Sequence, residues 1–269
     1  MNKHVKKQAS SKDTVIRIVL ILLIVVLLVV FAFAAYKLYT IQHDYKESER
    51  KYDNVATQFT TEQSKKPAAT AAPQEEDVGP KSPVEVDFGP LLEQCPDVVG
   101  WIYSENTVIN YPLVRGADND YYLHRFIDGS YNGGGTIFMD FKNYGDFSDP
   151  NSIFYGHHMN DGSMFASLSK YREEGYYEEH PVLYINTPTQ NYRVDVFAGY
   201  VCDADSDTYR IGFDSDEDFL NYVERMRSQS DFSTDVEIKP GDHLVTLSTC
   251  SYEWYDARYV VQGKLVPIG

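Results

Sequence analysis

Cysteine is scarce in this chain, three residues in 269, and no CxxC pair occurs. That excludes a small disulfide scaffold and a zinc ribbon. Basic residues are also in deficit, 24 Lys+Arg against 40 Asp+Glu, for a formal net charge of −16. Such a surface repels a phosphate backbone, which excludes nucleic-acid binding through a general basic face. No internal repeat is visible. The glycine run 133–135 lacks both the spacing and the following helix of a phosphate loop and reads as a turn. Apolar and aromatic residues, by contrast, are plentiful at 43% and 14%, and exclude a disordered or collagen-like chain.

The charge is unevenly spread. Residues 1–17 carry Lys3, Lys6, Lys7, Lys12 and Arg17 against Asp13 alone, a basic N-terminus of net +4. Residues 18–36 then read IVLILLIVVLLVVFAFAAY, nineteen positions without a charge or a helix breaker. At ~1.5 Å per residue this stretch nearly spans a ~30 Å hydrocarbon core and predicts a transmembrane helix. A cleaved signal peptide would have a shorter apolar region, ~7 to 15 residues, and a small-residue cleavage site. The basic cluster precedes the span, so the N-terminus is expected in the cytoplasm and everything after residue 40 outside. Residues 37–60 are polar with scattered Leu38, Ile41, Tyr45, Tyr52 and Val55. They read as a solvated spacer in preference to a continuation of the membrane helix. From 61 to 83 the composition turns to Lys, Pro, Ala, Gln and Glu without apolar periodicity, the mark of a flexible linker. Residues 37–83 thus form a stalk and linker, and 84–269 one folded outer domain.

Within that domain Asp87 is a candidate N-cap for a short helix over FGPLLEQCPD, and VVGWIYSENTVINYPLV predicts two strands around a Glu105-Asn106 turn. Further short strands are expected over 136–140, 152–155, 183–186, 192–201, 244–249 and 258–266. A helix over 214–227 interrupts the series, with an apolar stripe of Phe219, Leu220, Tyr222, Val223 and Met226. Short strands with a few inserted helices predict a mainly β fold, a closed or nearly closed barrel.

An odd number of cysteines outside a membrane leaves at least one free thiol unless two chains are joined. Cys95 lies among apolar residues of the first short helix and reads as a buried structural thiol. Cys250 ends the strand HLVTLSTC, where alternation places Leu244, Thr246, Ser248 and Cys250 on one face and His243 on the other. If this strand pairs antiparallel with the one opening at Arg258, the thiol and the guanidinium become neighbours across the hairpin mouth. An unperturbed thiol, of pKa ~8.5, is mostly protonated at pH 7. A nearby cation favours the thiolate and offers donors to an oxyanion. The alternative for Arg258 is a surface cation paired with Glu253 or Asp256. The doublet His157-His158 follows a predicted strand and Gly156, and at most one of the two rings can face a given site. No metal is implied, because the doublet lacks i, i+4 spacing and a third ligand. The acidic residues Asp203, Asp205, Asp207, Asp214, Asp216, Glu217 and Asp218 do not match a calcium loop and read as a solvated surface.

TLSTC with an arginine eight positions after its cysteine, preceded far upstream by YGHHM and MF, resembles the sortases, transpeptidases that attach proteins to the Gram-positive cell wall. VVGWIYSENTVINYPLV, TIFMDF and the position of the 214–227 helix are similar to class B members, and an N-terminal anchor fits the same family. The resemblance implies an eight-stranded sortase-type barrel with inserted helices, and no cofactor. It implies Cys250 as nucleophile, His157 as the catalytic imidazole and Arg258 as the oxyanion and substrate-orienting cation. By the same resemblance Asn110, Val114, Tyr155, Tyr209 and Ser248 line a peptide groove. The implied partners are secreted proteins bearing a C-terminal sorting motif, cleaved through a thioacyl enzyme, and an amine of a peptidoglycan precursor as acceptor. A membrane-anchored thiol peptidase and a ligase joining pilin subunits are the alternatives. Two departures bear on the substrate sequence: the segment SYEWYDA after Cys250, and Arg210 where an apolar groove residue is expected.

A wall-degrading cysteine peptidase also needs thiol and imidazole, but its cysteine comes first in the chain, at a helix start. Here His157 precedes Cys250 by 93 residues and the thiol ends a strand. An adhesin or scaffold would not require Cys, His and Arg to converge.

Overall fold

A computed structural model describes residues 11–63, 81–251 and 253–269. Lys3, Lys6 and Lys7 of the basic N-terminus and most of the expected linker lie outside the described residues. The chain divides into two compact units, Met1–Glu47 and Ser48–Gly269. Helix α1 (Ser11–Phe59) carries the apolar run, whose side chains are exposed along its length, and it is long and apolar enough to cross a membrane.

The second unit is built on a closed barrel. Its strands are β3 (Val98–Tyr103), β4 (Asn110–Val114), β5 (Ile137–Met139), β6 (Asn151–Tyr155), β7 (Val182–Asn186), β8 (Asn191–Asp203), β9 (His243–Cys250) and β10 (Ala257–Ile268). The order around the barrel is β10-β8-β7-β3-β4-β5-β6-β9, and closure leaves no free edge among these eight. The expected eight-stranded barrel is therefore present. Two of its pairings, β4 with β5 and β6 with β9, are parallel, and the others are antiparallel. Trp101, Ile102, Leu113, Ile137, Phe154, Leu183, Ile185 and Tyr259 are among the side chains buried in the core. Helix α2 (Phe88–Gln94) is capped by Asp87, whose side chain accepts from Gly89 N, and ends at buried Cys95. Helix α3 (Asp216–Gln229) fills the insertion between β8 and β9. It lays Phe219, Tyr222, Val223 and Met226 in a second apolar cluster with Phe197, Tyr200 and Val260.

Residues 37–60 differ from the solvated spacer expected for them. They are helical through Phe59, and Tyr52, Val55 and Phe59 are buried in the barrel unit's core. These three stand at i, i+3 and i+7, one stripe of the 48–59 stretch, whose other positions apart from Ala56 are polar or charged, so average composition conceals the buried face. Burial of each such side chain contributes roughly 1.5–3 kcal/mol. Strand β1 (Thr60–Glu62) follows at once and pairs antiparallel with β2 (Val84–Val86), with Gln63 N donating to Pro83 O at 2.8 Å. Folded structure thus starts at Ser48 and not near Val84. Residues 64–80 connect two paired strands of the unit and do not connect the apolar helix to the barrel.

Candidate active site

Strand β9 lies between β6 and β10, and its last residue, Cys250, is half-buried with a free thiol. In the β9–β10 register Cys250 is the direct Cα partner of Arg258, so both side chains lie on one face of the sheet. The guanidinium donates from Nη1 to Ala257 O at 3.0 Å and lies 3.7 Å from the carboxylate of exposed Asp256. An ion pair that open is worth little, and a guanidinium has five N–H donors, so most remain for an incoming group. Glu253, the other partner considered for Arg258, instead pairs with Arg172.

Strand β6 runs parallel to β9, and its end carries the histidines. Gly156 N donates to Ser248 O at 3.0 Å, and a Cβ at Gly156 would meet the Phe165 ring at 2.6 Å, so only glycine lets the chain pass here. His157 then faces the cavity shared with Cys250 and Arg258, while His158 lines a separate one of ≈ 630 Å³ beside Lys170 and His180. His157 Nε2 sits 2.8 Å from Leu123 O. A carbonyl only accepts, so Nε2 carries the proton and Nδ1 of the neutral ring is left with its lone pair. Burial lowers the His157 pKa below the ordinary imidazole value. The Leu123 carbonyl opposes that shift, and His124, stacked on the ring at 5.4 Å between centroids, adds to it.

The shared cavity has a volume of ≈ 260 Å³, and Tyr155, Tyr209 and Ser248 are among the residues that line it. Tyr209 and Ser248 share a hydrogen bond of 2.8 Å, the Tyr155 and Tyr209 rings stack at 6.0 Å, and Tyr155 donates to Asp140 at 2.9 Å. Burial raises the pKa of both tyrosines, which keeps their hydroxyls protonated. The row Ser248 and Cys250 on β9 with Arg258 on β10 makes one polar wall, and Phe138 and Leu123 supply apolar surface.

Asn110 and Val114 do not line this cavity. Asn110 accepts from Trp101 Nε1 at 2.7 Å, and Val114 is fully buried in the core, where its β5 partner Phe138 is the residue that reaches the cavity. Arg210 is not a groove residue either: it pairs with Asp218, and its guanidinium lies over the Phe213 ring at 4.9 Å. Asp207 and Asp218 of the acidic segment are thereby engaged with Arg225 and Arg210. Among the described residues no group of His, Cys, Asp and Glu could hold a metal ion. Cys202, the β8 partner of Arg258, is buried 3.9 Å from the Tyr209 hydroxyl. The segment around Leu123, Asn119 and Thr136, which also lines the cavity, carries no sequence signal of its own, because its contribution at Leu123 is a backbone carbonyl.

The sortase domain family matches residues 104–266. Sortase B of Listeria monocytogenes is 39% identical over 172 residues, covering 63% of this chain and 70% of the relative. This chain belongs to the class B sortases. Among solved structures, sortase B from Bacillus anthracis in complex with AAEK1 is similar at a TM-score of 0.70 and 32% identity, over 84% of this chain and 99% of that one. A Staphylococcus aureus sortase B–substrate complex matches at 0.64 and 31%, over 68% and 85%. As a sortase, the protein is a cysteine transpeptidase that attaches surface proteins to the cell wall.

Proposed function

We propose that Cys250, His157 and Arg258 carry the transpeptidation, and that Tyr155, Tyr209 and Ser248 orient the peptide. The observation behind this reading is the opposition of Cys250 and Arg258 at one cavity with His157. Neutral His157 takes the thiol proton at Nδ1. The sulfur attacks the scissile carbonyl of a sorting motif on a secreted protein, and Arg258 donates to the oxyanion. When the C–N bond breaks, His157 returns the proton to the departing amine, leaving a thioester on Cys250. An amine of a peptidoglycan precursor attacks that thioester and gives its proton to His157 Nδ1; the C–S bond breaks as the new amide forms, and the departing sulfur takes the proton back to restore the thiol and the neutral ring. The basic N-terminus stays in the cytoplasm, α1 spans the membrane and the barrel works outside, where precursor and secreted substrate meet.

Intact-mass spectrometry of the full chain in detergent, quenched with a panel of sorting-motif peptides with and without an amine, tests this. A covalent acyl adduct lost from Cys250→Ala, and a ligated product with the amine, are expected. Turnover by Cys250→Ala would overturn the assignment.

A further inference from the structure

The end of α1 packs on the segment that holds His157. Tyr52 is 5% exposed, with its ring edge-on to Tyr111 and Phe126 at 5.1 and 5.0 Å. Its hydroxyl donates to the Gly135 carbonyl and lies 3.4 Å from Thr136 Oγ1. Burial holds that phenol protonated, so it acts as a donor. Gly135 also lies close against the backbone of Tyr122 and Leu123. Its φ is +58°, and a Cβ there would stand 2.4 Å from Leu123 O. Thr136 ties the same strip down, with its N donating to Tyr122 O at 2.9 Å and its hydroxyl to Arg125 O at 2.8 Å. Leu123 O is the acceptor of His157 Nε2.

We propose that Tyr52 is a positioning residue for His157: its hydroxyl fixes Gly135, Gly135 buttresses the Leu123 carbonyl, and that carbonyl holds the imidazole in the tautomer that leaves Nδ1 as the base. This rests on the reading of His157 as the acid/base. A purely structural Tyr52 would need only its ring, because the ring alone makes the contacts with Tyr111 and Phe126. The hydroxyl and the ring can therefore be separated by substitution.

The test uses the full chain in detergent with a sorting-motif peptide. Tyr52→Phe keeps the ring, so kcat is expected to fall about ten-fold with KM little changed and Tm close to the parent. In a His157→Ala background the same substitution should cost nothing further, since it acts through a ring no longer there. Imidazole ¹⁵N shifts should report the Nε2–H form of His157 in the parent and a tautomer mixture in Tyr52→Phe. Val55→Ala, which loosens the same helix face without touching Gly135, should lower Tm and spare kcat. Unchanged kcat and tautomer in Tyr52→Phe, equal losses in both backgrounds, or a comparable kcat loss in Val55→Ala would each overturn the proposal. Retained activity in His157→Ala would instead remove the acid/base reading beneath it.

Discussion

Cys250 and Arg258 face each other as direct register partners, the last residue of β9 against the second of β10. Seven residues separate them in the chain, yet the hairpin places thiol and guanidinium on one wall of the cavity. Cys202 flanks Arg258 from β8, so the cation sits between two thiols of which one lines the cavity.

Cys250→Ala is therefore expected to abolish peptide cleavage and acyl-enzyme formation. Cys95→Ala and Cys202→Ala should keep near-normal kcat/KM while losing about 1 kcal/mol of stability each, as small buried side chains do. Steady-state kinetics with thermal melts on all three separates the roles, and a large kcat loss in Cys202→Ala would break the assignment.

His157→Ala should lose ~10² to 10⁴ in kcat/KM with the fold intact, and His158→Ala far less. The reverse order of damage would reassign the imidazole.

The same residue makes stability depend on pH. Because burial lowers its folded pKa below the ordinary ~6.5, the folded state binds fewer protons than the unfolded one. The neutral ring's contribution is full above pH ~6.5 and is lost as pH falls through the lower folded value. Melts at a series of pH values should show the parent losing more Tm below ~6.5 than His157→Gln does. Parallel Tm curves would contradict a buried neutral ring.

Arg258→Lys keeps the charge but not the fork of donors, and loss of one oxyanion donor costs ~2.7 to 4 kcal/mol in a well-studied hydrolase. An impairment of at least about ten-fold in kcat/KM is expected. Near-normal activity would reduce Arg258 to a general electrostatic role.

Supplying a peptidoglycan-like amine should divert the thioacyl enzyme to ligated product, with hydrolysis slower than aminolysis. Chromatography of quenched reactions across several amines decides this. Hydrolysed peptide alone in every case would make the protein a thiol peptidase on a sortase barrel.

Much of this site is legible in the sequence because its chemistry rides on strand alternation. The shared face of Ser248 and Cys250 and the divergence of His157 from His158 follow from a period of two, and Cys250 and Arg258 become neighbours once their strands pair antiparallel. What stays hidden is long-range or backbone-borne. The Leu123 carbonyl has no side-chain signature, and the burial of Val114 depends on how β4 meets β5. The buried stripe of Tyr52, Val55 and Phe59 is too sparse to stand out against a charged helix.

The pairing of Thr60–Glu62 with Val84–Val86 bears on the enzyme's exposure to proteases. The flanking strands are held in one sheet, so a single cut of the chain between them divides the polypeptide without dividing the domain. The shorter fragment keeps the apolar helix together with Tyr52, Val55 and Phe59, whose burial at roughly 1.5–3 kcal/mol each holds it in the barrel's core. Release of the barrel unit from the apolar helix would therefore require a scission before Ser48.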